Sequence, residues 1–193
     1  MPISSRRTLL AAGLVAAGFG LAACESNSVS TTTSAGSDRA AIDAAVDAAL
    51  EDLYRQQPNA RQVADEAEAV LVFPSITQAG LGVGGLYGNG AMRRGGQTVG
   101  YYNIAGGTFG FQIGAQSFSQ AYFFNTPEAL ADFEETKGFE LGAGVTAVAA
   151  DFGAAGEVST RTLQEPLVVA TWGQSGLMAG ITVEGAKITQ INP

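Results

Sequence analysis

The sequence predicts an α+β fold, in which N-terminal helices precede a large glycine-rich antiparallel β-sheet or barrel with one inserted helix. Apolar residues recur at helical spacing between residues 42 and 53. From Val70 onward, β-branched, aromatic and glycine residues alternate between turn signals. Within that region, Thr126-Pro127-Glu128 combines an N-cap residue, a first-turn proline and an acid, which together open a helix. The 193 residues have room for one domain.

The first helix is predicted to begin at Ser37, a good N-cap residue. Its apolar stripe consists of Ile42, Val46, Leu50 and Leu53. An acidic row on another face consists of Asp43, Asp47 and Glu51. A solvated face is favoured over a binding role for this row, as for most charge runs. Pro58-Asn59 ends the helix, and residues 60–69 predict a second, short one.

Short apolar runs and glycine clusters divide the rest of the chain into predicted strands. The run from Val70 to Phe73, closed by Pro74, is typical of a buried strand. Turns are predicted at Gly88-Asn89-Gly90, Gly95-Gly96, Ala105-Gly106-Gly107 and Gly173-Gln174-Ser175-Gly176. The strand pattern resumes after the inserted helix and continues to Ile191.

The N-terminal segment is predicted to be removed or modified rather than folded. Residues 1–23 have the proportions of a secretory signal peptide, since two arginines precede an apolar run too short to span a membrane. The run ends in Leu21-Ala22-Ala23-Cys24, which resembles the lipobox of bacterial lipoproteins. We therefore expect lipidation at Cys24, a flexible tether over residues 24–37 and a folded domain over residues 38–193. An ordinary signal peptide with a chance cysteine is the alternative, and general secretory and twin-arginine export both stay open.

Composition excludes several classes of function. Without Arg6 and Arg7, the mature chain has 8 basic and 18 acidic residues, a net charge of −10. Such a body repels nucleic acid, so no nucleic-acid partner is expected. The chain contains no histidine, which removes the usual general base, zinc ligand and partner of a nucleophilic serine. We therefore expect no enzymatic activity, no metal and no cofactor.

The segment from Gly80 to Gly90 contains six glycines in eleven residues. Gly80, Gly82 and Gly85 have the spacing of a dinucleotide-binding turn, but a hairpin signal follows them instead of a helix. Alternation places the glycines on one face of a strand, where another backbone, a helix or a ligand can approach closely. Tight packing or barrel bending is the favoured explanation. A groove for an acyl chain or headgroup, lined by Gly82 and Gly84, is the other.

Several ordered motifs resemble those of the SYLF-domain family, a lipid-binding domain also called the Ysc-type actin-binding domain in eukaryotes. In chain order, they are V-L-V-F-P-S-I-T-Q-A-G, G-G-L-Y-G-N-G, G-F-Q-I-G-A-Q, A-L-x-x-F and G-L-M-A-G-I-T-V-E-G. The similarity extends from about Val63 to Ile191. It implies lipid binding, often to phosphoinositides, and no established enzymatic activity. The family often has a basic residue just before the last motif, where this chain has Ser175.

Five further residues are candidates for contact with lipid. Arg93 and Arg94 form the one adjacent basic pair of the mature chain, and arginine suits phosphate oxygens. They are alternatively two solvated charges at a hairpin tip. Trp172 is a candidate membrane-interface aromatic or a packed core residue. Gln112 and Gln116 share a predicted strand face, where they line a polar pocket or face solvent.

The sequence therefore predicts a membrane-anchored lipoprotein of the cell envelope whose SYLF-like domain binds lipid, with anionic phospholipid and phosphoinositide headgroups as the candidate ligands. The alternative is a non-enzymatic scaffolding lipoprotein that acts through protein contacts. Glu25, rather than aspartate, follows the cysteine, which favours the periplasmic face of an outer membrane if the organism is Gram-negative.

Overall fold

The computed structural model describes residues 31–136, 148–149, 164–177 and 186–193. Two helices come first, α1 (Thr31–Gln56) and α2 (Asn59–Glu66). They are followed by strands β1 (Ala69–Arg94) and β2 (Gln97–Phe124), helix α3 (Pro127–Glu135), and strands β3 (Val148–Ala149), β4 (Leu167–Leu177) and β5 (Ala186–Ile191). The predicted α+β class is confirmed, with an open sheet rather than a closed barrel among the described residues.

The five strands form one sheet in the order β1-β2-β4-β3, and β5 also pairs with β2. All pairs are antiparallel except that of the two-residue β3 with β4, which is parallel. β1 pairs with β2 along its whole length, from Ala69 opposite Phe124 to Arg94 opposite Gln97. The other edge of β2 is shared, since its first half pairs with β5 and its second half with β4.

One long hairpin replaces the shorter strands predicted from turn signals. Only Gly95-Gly96 of those signals forms a turn, with φ of +56° and +78° at its two residues, as two-residue hairpins of this kind require. Gly88-Asn89-Gly90, Ala105-Gly106-Gly107 and residues 173–176 lie inside continuous strands, so those three turn predictions are wrong. At the first two sites, cross-strand pairing keeps the backbone extended despite the glycines. At the third, Gly173 has a φ of +64° where the register of β2 and β4 shifts, so the glycine serves a bulge within the strand.

The β1–β2 hairpin folds back on itself near Gly82. Its register shifts between Leu81 and Val83, and Gly82 has a φ of +72°. A Cβ on Gly80 would lie 2.5 Å from the Cα of Gly84, so this bend requires glycine. Further along, a Cβ on Gly88 would lie 2.8 Å from the carbonyl oxygen of Ser75. The second half of β1 therefore lies directly on its first half, and tight packing explains Gly80 and Gly88 as predicted.

The main hydrophobic core fills the space inside the folded hairpin. It contains Phe73 and Ile76 from the first half of β1 together with Leu86 and Met92 from the second half. Helix α3 closes this core with Leu130 and Phe133. The centre of the Phe133 ring lies 5.0 Å from that of the Phe124 ring. Thr126 is the N-cap of α3, as predicted, and its hydroxyl oxygen accepts a hydrogen bond from the Ala129 amide.

A second core lies on the outer face of the sheet, under α1 and α2. Val46 and Leu53 of α1 are fully buried, as is Val63 of α2. They pack against Val72 and Phe123 of the sheet. The predicted apolar stripe of α1 is therefore confirmed as the face that covers the sheet.

Helix α1 begins at Thr31, so Ser37 lies inside the helix and is not its N-cap. The predicted signal peptide, Cys24 and the first part of the predicted tether lie outside the described residues. Within the described ranges, no helix is long and apolar enough to cross a membrane.

Candidate membrane-contact surface

The bend of the hairpin presents large apolar side chains to solvent. Leu81 is 77% exposed and Val83 is 64% exposed, and a Cβ on Gly82 between them would meet no atom within 4 Å. Backbone pairing sets Leu81 opposite Ile113 and Val83 opposite Phe109. Large exposed apolar patches are typical of interaction sites, so the bend, with Leu81 and Val83 exposed together, is the candidate contact surface.

The outer face of the hairpin's second half is organised in cross-strand rows. Tyr87, which is 58% exposed, pairs with Ala105, and Ala105 pairs with Lys187 of β5. Directly paired residues share a face of the sheet, so an aromatic ring and an ammonium group stand on one exposed row. Lys187 was not among the residues predicted from the sequence, because it is distant along the chain and only sheet pairing brings it here.

The next row away from the bend is polar. Asn89 pairs with Asn103, and Asn103 pairs with Thr189. The Asn103 amide donates hydrogen bonds to the Gly88 carbonyl at 2.9 Å and to the Asn89 side-chain oxygen at 3.0 Å. The face therefore changes from apolar at the bend, through the row of Tyr87 and Lys187, to amides and a hydroxyl.

The predicted basic pair is at the other end of the hairpin, and its two side chains diverge. Arg93 is only 13% exposed and pairs with Asp47 of α1 at 2.6 Å and Asp43 at 3.5 Å. Arg94 pairs with Glu134 of α3 at 3.1 Å. Each guanidinium thus joins the hairpin to a different helix, and the interpretation as two solvated charges is wrong for Arg93.

The acidic row of α1 is partly structural rather than only solvated. Asp43 accepts hydrogen bonds from the hydroxyls of Thr98 at 2.6 Å and Tyr101 at 2.9 Å, in addition to its ion pair with Arg93. Burial and this hydrogen bond to Asp43 raise the pKa of Tyr101 above its usual value. Glu51, the third acid of the row, is exposed.

The structure describes the side chain of one of the two predicted glutamines. Gln116 is buried, and its amide donates a hydrogen bond of 3.1 Å to the side-chain oxygen of Gln78. Gln120 continues this interior polar cluster, accepting a hydrogen bond from the Tyr122 hydroxyl at 2.9 Å. Gln116 therefore faces the protein interior and not solvent, while the side chain of Gln112 lies outside the described part of the chain.

Trp172 belongs to the core. It is 3% exposed and packs in the cluster beneath α1, beside Val46 and Ala170. The prediction of a membrane-interface aromatic is therefore wrong at this position, because Trp172 lies in the buried cluster formed with side chains of α1 and α2. Of the two predicted groove glycines, Gly82 faces open space and Gly84 lies against Gly80 at the bend.

The described residues gather no catalytic arrangement. Glu134 is engaged by Arg94, and Ser175 lies within β4, paired with Ser117 and with no histidine anywhere in the chain. Among the residues that the structure describes, no group of three or more acidic or cysteine side chains could hold a metal ion.

The fold and this surface define an α+β domain built on one folded-back hairpin, with Leu81 and Val83 exposed at its bend. Residues 105–192 match the family model Ysc84, described as Las17-binding protein actin regulator. This part of the chain is therefore similar to the SYLF-domain family, a family of binding domains, and the predicted resemblance is confirmed there. The match covers somewhat less than half of the chain, and the motifs before residue 105 lie outside it. No curated protein matches the chain.

Proposed function

We propose that this protein is a membrane-anchored, non-enzymatic envelope lipoprotein whose SYLF-type domain binds lipid bilayers through the bend of its hairpin. The observation that carries the proposal is the exposure of Leu81 and Val83 at the free end of the hairpin. Similarity of residues 105–192 to a family of binding domains supports it. An acylated Cys24 would hold the domain at the bilayer, and the weak affinity of the bend would then act on a surface already close by.

The energetic contribution of the bend is modest. Burying a valine or leucine side chain completely is worth about 1.5–3 kcal/mol. Because 64% of Val83 is exposed, its insertion would recover about 1–2 kcal/mol, or about tenfold in affinity. Replacing Val83 by serine should therefore weaken bilayer binding by about tenfold.

Liposome flotation of the mature chain carrying Cys24→Ala tests the proposal without the contribution of acyl chains. Val83→Ser should weaken binding to every bilayer composition. Val99→Ser is the matched control, because Val99 is 49% exposed beside the turn at the opposite end of the hairpin. Equal losses in both variants, or no binding of the parent protein to any vesicle, would refute binding through the bend. The anchor has a separate test, since intact mass measurement of the full-length product should find diacylglycerol on Cys24.

The second candidate function is scaffolding through protein contacts. The description of the matching family, which names a protein partner, favours it. On this alternative, the exposed bend would bind a protein of the envelope, and flotation would fail with every vesicle. We place the anchored domain on the periplasmic face of an outer membrane if the organism is Gram-negative.

A further inference from the structure

Acidic residues are segregated from the folded hairpin. No aspartate or glutamate lies between Glu68 and Glu128, a segment that includes all of β1 and β2. Within the described residues, most carboxylates lie on α1, α2 and α3. The remaining two, Glu68 and Glu165, lie at the open end of the hairpin, where the Glu68 amide donates to the Phe124 carbonyl at 2.8 Å and Asn125 donates to the Glu165 carbonyl at 2.9 Å.

Among the described residues, the contacts of the helices lie toward the open end of the hairpin, away from the bend. The turn at Gly95-Gly96 folds back beside the open end of the hairpin, since Gly95 and Gly96 line the same groove as Ala69 and Val70. The ion pairs of Arg93 and Arg94 fasten this end to α1 and α3. An acidic protein is repelled by an anionic bilayer, so, among the residues that the structure describes, the approach that costs least electrostatic energy presents the bend of β1 and β2, which carries no carboxylate, and turns the helices away.

Lys187 supplies a positive charge on a face where β1, β2 and β5 carry no acidic residue. It is exposed, and no ion pair involves it among the residues that the structure describes. Strand β5, A-K-I-T-Q-I, has no acidic residue, and its neighbours Ala186 and Ile188 point into the core. Neighbouring strands lie about 4.8 Å apart, so the backbone of Lys187 lies about 10 Å from that of Tyr87 across Ala105.

The order of the rows matches the depth profile of a bilayer surface. At about 3.4 Å per residue, the row of Tyr87 and Lys187 is about 14 Å from Val83 along the strand. Tyrosine and lysine prefer the headgroup region, where the ring and the stem contact acyl chains and the polar ends reach water and phosphate. Asn89 and Asn103 then lie on the aqueous side.

We propose that the domain docks bend first on bilayers that contain anionic phospholipid, with Lys187, and not the Arg93–Arg94 pair, contacting the headgroup phosphates. This inference rests on the proposed binding of bilayers through the bend and adds its orientation and its charge preference. Each lysine or arginine near an anionic surface contributes roughly fivefold in affinity. Lys187→Gln should therefore weaken binding about fivefold, and Lys187→Glu by more, on anionic vesicles alone.

The test uses the mature chain carrying Cys24→Ala with two vesicle types, phosphatidylcholine alone and phosphatidylcholine mixed with phosphatidylglycerol. Arg94→Gln is the matched control, because it removes the same charge from an exposed side chain at the helical end. We expect Lys187→Gln to lose affinity only for the mixed vesicles, and Arg94→Gln to retain the parent's affinity for both.

Three results would overturn this orientation. Equal losses in the two variants would mean that net charge alone sets the affinity. Unchanged binding of Lys187→Glu to mixed vesicles would remove the proposed contact, while the proposed function would survive if Val83→Ser still weakens binding. Absence of binding by the parent protein to either vesicle would remove the proposed function as well. Trp172 fluorescence, from the single tryptophan in the buried core, verifies that each variant is folded.

Discussion

Replacing Gly90 by alanine should strongly destabilise the folded hairpin. A Cβ at this position would overlap the carbonyl oxygen of Val72 and lie 2.8 Å from Cδ1 of Phe73. Neither atom can move away easily, because the first belongs to the backbone and the second to a fully buried ring. The two halves of β1 would have to separate where they now touch.

The magnitude follows from comparison with another glycine of the same strand. Overpacking a well-packed interior costs about 1–3 kcal/mol and occasionally more, and a backbone obstacle places Gly90→Ala at about 3 kcal/mol. At Gly85, a Cβ would lie 3.5 Å from the Gly106 carbonyl oxygen, which is an ordinary contact. Gly85→Ala should be neutral or slightly stabilising, since alanine lowers the entropy of the unfolded chain by up to about 1 kcal/mol.

Urea unfolding followed by Trp172 fluorescence measures both variants. With a slope of about 1–3 kcal/mol per molar urea, a loss of 3 kcal/mol shifts the midpoint by about 1–3 M. Gly85→Ala should stay close to the parent midpoint. If the midpoints of Gly90→Ala and Gly85→Ala coincide, the two halves of β1 are not in contact and the folded-back hairpin is wrong.

Two further predictions concern stability. Arg93→Ala should lower the free energy of unfolding by about 2 kcal/mol, a value between those for exposed and buried ion pairs. Arg94→Ala should lower it by less than about 1 kcal/mol. Equal losses of stability in urea unfolding would contradict the burial of Arg93. Burial raises the pKa of Tyr122 well above 10.0, so the neutral hydroxyl favours the folded state. This contribution is complete below pH 10 and is lost as the pH rises further, so stability should fall more steeply above pH 10 in the parent than in Tyr122→Phe, with Tyr87→Phe as the exposed control. Identical pH dependence in the parent and Tyr122→Phe would refute this assignment.

Local signals predicted the elements whose physics is local. Thr126-Pro127-Glu128 opened α3 because a cap, a fixed proline φ and a first-turn acid act within one turn. The stripe of Val46 and Leu53 identified the buried face of α1, because helical periodicity is independent of the rest of the fold. The turn predictions failed at Gly88–Gly90 because glycine also serves close backbone packing, and the chain alone does not distinguish these two uses.

The candidate site was harder to predict than the fold. Arg93 and Arg94 were notable as the adjacent cations, but the sequence carries no sign that Asp47 and Glu134 approach them from two different helices. No motif or adjacent charge in the sequence indicated a binding role for Lys187. The absence of acidic residues between Glu68 and Glu128 was the available signal for an uncharged contact surface.

The sequence by itself determined the α+β class, the family resemblance and the absence of histidine, because composition, periodicity and ordered motifs do not depend on tertiary contacts. The tertiary structure decided which charges remain exposed and which apolar groups stay uncovered. Those outcomes depend on the bend at Gly82, which places β1 against itself and leaves Leu81 and Val83 exposed, away from the contacts of the helices. Ion pairing and exposure are properties of groups distant in the chain, so they exist only once the hairpin has folded back.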